Sequence, residues 1–345
     1  MGTTQITIDD IPVRLRKCIK SPVFSGKTVL SFDTWDYVNL WLQRRKHQDA
    51  LFYWKQSRYF YDATMSLEKT ASPLTAYYCF LNATKALLLV KKEPFTEHHG
   101  VAGARKKKSS DKLGSDHVTF QTGGVLAALS HYLGESIQEE TYSLKDILYN
   151  IPYVHRAYQL TYNWQPELFF PISTPRFVRK NESHEAWYQF MVTEEQLKNK
   201  FFLKILPDKL EKDEGDEHNF VVRFKDRFSW KWGGNKKENE SRLCNYHLKV
   251  RKCLFYIHGV KSLWYVKRAS NVKGFINRGA LPLTYAAMHR LSELARYEPL
   301  KLEKHFSSQH NWLLAEFIKA APMQFIDQIS SEITGYDFLP PGMRS

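Results

Sequence analysis

Two adjacent imidazoles, His98 and His99, precede Gly100 and stand a few residues before the basic run Arg105-Lys106-Lys107-Lys108. An imidazole moves protons near neutral pH, and a glycine lets the backbone approach a ligand closely, so this stretch could hold a phosphate or do acid–base work. A plain helix-terminating loop accounts for it equally well. Cys244, His247, Cys253 and His258 place four zinc-competent side chains within fifteen residues. On a continuous strand, three-residue separations send ligands to opposite faces, and the gap between His247 and Cys253 is short for a finger loop, so packed thiols and surface histidines are expected there and no metal. Arg251 and His258, six residues apart in the intervening chain, offer a guanidinium to stabilise developing charge and an imidazole to transfer a proton. The sequence contains no G-x-x-x-x-G-K-S/T, G-x-G-x-x-G, G-x-S-x-G or H-E-x-x-H. Nucleotide-loop, dinucleotide, serine-hydrolase and zinc-protease chemistry therefore have no motif to rest on, and no cofactor is expected.

These residues must be positioned by a chain of 345 residues, 43% hydrophobic and 14% aromatic, ample for buried cores. Val38, Trp41, Leu42, Leu51, Trp54, Tyr61 and Met65 keep close to a 3.6 period, which predicts a long or broken helix over 33–69. Ser72-Pro73 reads as an N-cap followed by a first-turn proline. The Tyr77, Phe80, Leu81, Thr84, Leu87, Leu88 stripe then predicts a second helix, antiparallel to the first and ended by Pro94. Residues 98–117 have no apolar period and are expected to form an exposed loop. Shorter helices are expected at about 123–134, at 143–149 with Ser143 as cap, and through 154–160 after the break at Ile151-Pro152.

From about 167 the texture becomes that of short aromatic and β-branched strands: 168–172, 186–192, 201–205, 220–224, 228–232, 246–250, 254–257 and 263–266. Helical periodicity returns after Pro282 and again from Trp312 to Ile333, closed by Gly335. The expected class is α+β: a mainly helical scaffold formed by both termini (1–165 and 276–345) with an antiparallel β-rich insert at 166–275.

Fifty Lys and Arg against 36 Asp and Glu give a net charge of +14. Sixteen of the basic residues and only three acidic ones fall within 221–290, an excess of thirteen. Strand alternation would put His247, Lys249, Arg251, Cys253 and Phe255 on one face and Tyr246, Leu248, Val250, Leu254 and Tyr256 on the other. Basic groups neutralise phosphates and aromatic faces stack bases, so Lys249, Arg251, Lys267 and Arg268, with Tyr246, Phe255 and Trp264, are candidate nucleic-acid contacts, as is the Arg105–Lys108 run. An ordinary solvated sheet face is the plainer alternative. Four widely spaced cysteines read as reduced thiols. With no signal-like segment and no apolar run of membrane length, a soluble cytoplasmic chain without membrane contact is expected.

The segment SPLTAYYCFLNATKALL at 72–88, followed by His99-Gly100, resembles the bacterial YaaC-like family. Further matches are Ser143-Leu144-x-Asp146-Ile147-Leu148-x-x-Ile151-Pro152, Leu294-Ala295-Arg296-Tyr297-x-Pro299 and Trp312-Leu313-Leu314-x-Glu316-Phe317. The resemblance runs in order over most of the chain, is weakest in the β-rich middle, and implies a helical scaffold carrying a variable insert. The N-terminal helices also look like HEPN-type bundles, a class found in RNA cleavage, toxin systems and phage defence, where an arginine and a histidine four to six residues apart surround the scissile phosphate. Arg251 and His258 have that spacing, but in a segment read as strand where the motif needs a helix. His99 and Arg296 match the YaaC-like pattern, yet the next histidine after Arg296 is His305, outside the spacing; Arg296 could equally anchor its helix end on an acidic group. The YaaC-like family itself is functionally uncharacterised; the basic aromatic β-region leads us to expect a nucleic-acid-associated protein, with RNA or single strands favoured, and the HEPN-type resemblance implies a defence or toxin setting. If it is an enzyme, it would be a metal-independent HEPN-like ribonuclease. The alternative is a non-catalytic subunit, oligomeric or not, docking an acidic partner such as an ATPase or nuclease.

Overall fold

The computed structural model describes residues 2–105, 112–193, 196, 202–213, 221–260, 262–269 and 271–341. The chain is α+β and divides into two units. One comprises residues 1–30, 168–272 and 335–345; the other comprises residues 31–167 and 273–334.

The helical unit is built on the hairpin of Gln48–Ser66 and Ser72–Lys91, preceded by a separate helix at Thr34–Arg44. Ser72 is the first helical residue and not the cap: the N-cap is Ala71, Ser72 is buried, and Pro73 sits in the first turn as expected. The helices Ala280–Tyr297 and Asn311–Thr334 pack on Ser72–Lys91. Phe80 stacks on Phe325 with ring centroids 4.2 Å apart, inside a core that includes Leu87, Leu88, Leu291 and Ile329. An additional helix, Pro299–Phe306, begins on its proline, in the first turn.

The stretch 98–117, expected to be a loop, contains two paired strand segments among its described residues, and 106–111 lie outside them. Val101–Arg105 pairs with Asp116–Phe120, which pairs in turn with Glu140–Ser143. Alternation explains it: Asp116, Val118 and Phe120 point inward while His117 and Thr119 are half-buried. Ser143 caps Leu144–Tyr149 by accepting the Asp146 N–H at 3.0 Å. Val125–Leu133 and His155–Thr161 are the other short helices.

The second unit holds an antiparallel sheet in the order Thr3–Gln5, Ser173–Lys180, Glu185–Met191, Val221–Phe224, Leu210–Lys212, with Phe228–Ser229 also paired to Glu185–Met191. The N-terminal residues, read from sequence with the helical half, are tied here by strand pairing: Thr4 lies opposite Arg179, and Val29–Leu30 pairs in parallel with Phe338–Leu339. A second sheet joins Phe169–Pro171, Leu263–Lys267 and Leu254–Ile257.

Two expected strands are helices. Phe202–Ile205 is one helical turn, and Lys236–Arg251 is a sixteen-residue helix. The latter is capped by Asn235, whose side chain accepts the Lys237 and Glu238 N–H groups at 3.0 and 3.4 Å. Its inward residues Leu243, Tyr246, His247 and Val250 recur at i, i+3, i+4 and i+7, and they meet Phe177, Tyr188, Val222 and Phe224 of the sheet in one core. The alternating basic and buried faces expected for 246–256 therefore do not exist.

Candidate active site

In the helical unit, the Ala280–Tyr297 helix sets Tyr285, His289, Glu293 and Arg296 at spacings of four, four and three, which stacks them along one face. The Ser72–Lys91 helix contributes Tyr77 and Lys85. Between them lies the His98–Gly100 turn, whose carbonyls cap a third helix: His98 O accepts the Val125 N–H at 2.8 Å and His99 O accepts the Leu126 N–H at 3.1 Å. Gly100 and Gly124 touch here with positive φ of 76° and 98°; a Cβ on Gly124 would come within 2.5 Å of Gly100 N, so neither position has room for a side chain.

His99 Nδ1 is hydrogen-bonded to the Tyr77 hydroxyl, which lies 3.3 Å from the Tyr285 hydroxyl, and Tyr285 donates to the His99 carbonyl at 3.4 Å. Three contacts need three protons. They are supplied if His99 Nδ1–H donates to Tyr77, Tyr77 to Tyr285, and Tyr285 to the His99 carbonyl, an arrangement that puts the proton on Nδ1 and leaves the Nε2 lone pair unused. His289 completes the group: its ring lies edge-on to Tyr77 at 4.8 Å and 5.7 Å from the His99 ring. His289 is buried, and its Nδ1 has no hydrogen-bond partner among the described residues, the Glu293 carboxylate lying 3.9 Å away.

Burial, and after it the Arg296 charge, depress the His99 pKa; burial, with His99 and Arg296 beside it, pushes His289 down to about 3. Burial raises both the Tyr77 and Tyr285 phenols far above their ordinary value. His289 and the two phenols are therefore neutral at physiological pH, and the downward shift of exposed His99 favours its neutral form. Arg296 is exposed, its ring-side neighbour being Tyr297 at 4.9 Å and its Nε donating to Ser292 O at 3.4 Å; its terminal nitrogens have no partner among the described residues. Lys85 is bound by Glu97.

Behind the site runs a buried ion network. Glu293 accepts the Gly103 N–H at 3.2 Å and Arg290 at 3.1 Å; a Cβ on Gly103 would lie 1.8 Å from the Glu293 carboxylate, so a side chain there would displace the Glu293 and Arg290 tips from this pairing. Arg290 continues to Asp116 at 2.9 Å and to Glu298 at 3.2 Å, while Lys301 and His305 reach Asp116 at 2.5 and 3.0 Å. Burial alone would raise the Asp116 pKa, but the hydrogen bonds from His305, Lys301 and Arg290 outweigh it and hold the carboxyl well below the usual range.

The chain matches the family model described as YaaC-like Protein over residues 22–333. It belongs to the YaaC-like family. No curated protein and no solved structure matches it. Of the residues singled out in the sequence of this YaaC-like chain, His99 and Arg296 are brought into electrostatic reach of each other. Tyr77, Tyr285, His289, Glu293 and Asp116 were missed, although the four-residue spacing from Tyr285 through His289 to Glu293 was readable in the sequence.

Arg251 and His258 belong to the other unit and do other work. The buried Arg251 guanidinium donates to the Leu254 carbonyl and, at 3.2 Å, to Lys17 O. His258 Nδ1 lies 3.0 Å from Lys17 Nζ. His247 is fully buried, its Nε2 accepts the Arg16 N–H at 3.2 Å, and burial pushes it down to about 3. Cys244 donates to Lys20 O at 3.5 Å, and no metal-competent cluster of His, Cys, Asp and Glu exists among the described residues.

The expected stacking groups are mostly core. Tyr246 and Phe255 are buried, Tyr246 stacks on Phe228 at 4.5 Å, and Trp264 is half-buried. Lys267 is buried and Arg268 half-buried; Lys249 is exposed and 3.5 Å from Asp226. The side chain of Arg105 and residues Lys106, Lys107 and Lys108 lie outside the described part of the structure. No helix among the described residues is long and apolar enough to cross a membrane.

Proposed function

We propose that this YaaC-like chain acts on nucleic acid, RNA or single strands above duplex, and that the His99–Arg296 site performs metal-independent phosphodiester cleavage in a defence or toxin setting. The supporting observation is the hydrogen-bonded group of Tyr77, Tyr285 and exposed His99, an imidazole whose neutral form is favoured and which lies within electrostatic reach of Arg296, whose terminal nitrogens have no partner among the described residues. On RNA, His99 Nε2 takes the proton of a 2′-hydroxyl as its oxygen bonds to phosphorus. The bond to the 5′-oxygen breaks, and that oxygen takes a proton from water. Arg296 balances the charge gathering on the phosphoryl oxygens, and imidazolium then returns its proton to solvent. A histidine and an arginine around a phosphate is the chemistry implied by the HEPN-type resemblance; in this proposal the two residues come from elements far apart in sequence.

The test is incubation of RNA and DNA oligonucleotides with the chain in excess EDTA. Release of products ending in a 2′,3′-cyclic phosphate and a 5′-hydroxyl, abolished by His99→Ala and absent with DNA, is the expected result. Intact RNA, together with a stable complex with an acidic protein that survives nuclease treatment, would replace this reading with the docking-subunit one.

A further inference from the structure

In the sheet unit, the aromatic that reaches solvent in the basic, aromatic-rich stretch is Trp232, 70% exposed on the turn before the Lys236–Arg251 helix. That turn is held rigidly. The Asn239 amide accepts the Lys231 N–H at 3.1 Å and donates to its carbonyl at 2.8 Å, the Gly234 N–H closes on the same carbonyl at 3.1 Å, and Trp230 N–H donates to His184 O at 2.8 Å. The Arg179 guanidinium covers the Trp232 ring at 4.9 Å.

Opposite stands the hairpin of Thr7–Ile8 and Ile11–Pro12, whose two-residue turn, Asp9-Asp10, has both φ values positive at 51° and 61°. Lys236 pins Asp9 at 2.6 and 2.9 Å. The two turns line an open cleft of about 420 Å³, within the range of roughly 300–1,000 Å³ that small-molecule sites span. The Asp10 carboxylate and the Lys231 ammonium have no partner among the described residues.

We propose that this cleft binds one base of a single-stranded nucleic acid, stacked on Trp232. An exposed indole on a hydrogen-bonded turn accepts any base by its π-face. Arg179 and Lys231 flank it with the positive charge a sugar-phosphate chain requires, which a neutral glycan stacking on the same indole would not call for. Asp10 accepts hydrogen bonds from the exocyclic amino group of adenine or cytosine, a contact that uracil lacks. The site uses none of the residues around His99, so it stands whether or not cleavage occurs there.

The experiment is fluorescence anisotropy at low salt with labelled ten-residue oligo(A), oligo(C) and oligo(U), using the His99→Ala chain so that cleavage cannot enter. Trp232→Ala is expected to weaken binding about tenfold, as loss of one base stack does, while Trp232→Phe restores most of it. Asp10→Asn is expected to reduce the preference for oligo(A) and oligo(C) over oligo(U). Oligonucleotide binding unchanged in Trp232→Ala would overturn the proposal, as would a neutral hexasaccharide competing for the same site with equal affinity.

Discussion

Asp116→Asn isolates the buried network that supports the Ala280–Tyr297 helix. The wild-type carboxylate is wholly enclosed and meets Arg290, Lys301 and His305 at 2.5–3.0 Å. The amide removes the charge yet nearly keeps the volume, leaving Arg290 with Glu293 and Glu298 and taking from buried Lys301 the carboxylate it meets. Breaking a buried charge set on one side costs about 3–5 kcal/mol. For a unit of this size that is a fall of roughly 6–20 °C in the transition temperature. The pH dependence has a definite sign. The folded pKa is depressed below the unfolded value of about 3.9, so the ionised carboxylate contributes its full stability above that pH and loses it as pH falls through the folded value. Thermal melts of both proteins should therefore differ widely at neutral pH and converge as pH drops below about 4. A shift within 2 °C at neutral pH, or a gap that does not narrow in acid, would refute the network's role.

Arg296→Ala should raise the His99 pKa, since the guanidinium charge is the second cause holding it down; an NMR titration of the His99 ring shows the direction, and any cleavage activity should have its acid limb moved to higher pH. Phe255→Ala should destabilise the chain by about 3–5 kcal/mol, because Phe255 is core against Phe169 at 5.6 Å; a chemical melt with no loss would return it to the set of surface stacking groups. Elemental analysis of the purified chain should find zinc well below one per molecule, and EDTA should leave the melt unchanged, since Cys244 and His247 are engaged by Lys20 and Arg16. One zinc per chain would contradict that assignment.

The helical scaffold was legible because its apolar stripes are long: Tyr77 to Leu88 and Leu283 to Leu294 keep one period over three turns or more. Residues 246–250 misled because a short window fits two periods. Tyr246, Leu248 and Val250 alternate as in a strand, while Leu243, Tyr246, His247 and Val250 recur as in a helix, and the Asn235 cap decides between them. The basic excess of 221–290 misled for another reason: counting charges says nothing about depth. Arg251, Lys267, Arg278 and Arg290 are all buried, and the last two sit in the helical unit on carboxylates distant in sequence, Arg278 on Glu140 and Arg290 on Asp116. Those partners are set by tertiary packing, as is the meeting of Tyr77, His99 and Tyr285 from three separate segments.

The most direct test of the chemistry is the single-turnover rate of RNA cleavage in EDTA by wild type, His99→Ala and Arg296→Ala. A positioned general base and a charge stabiliser are each worth about a hundredfold or more. The expected result is a wild-type rate that falls by at least that factor in each variant while both keep the wild-type melt. Cleavage undiminished in His99→Ala, or no cleavage by a wild-type chain that binds the same RNA, would contradict it.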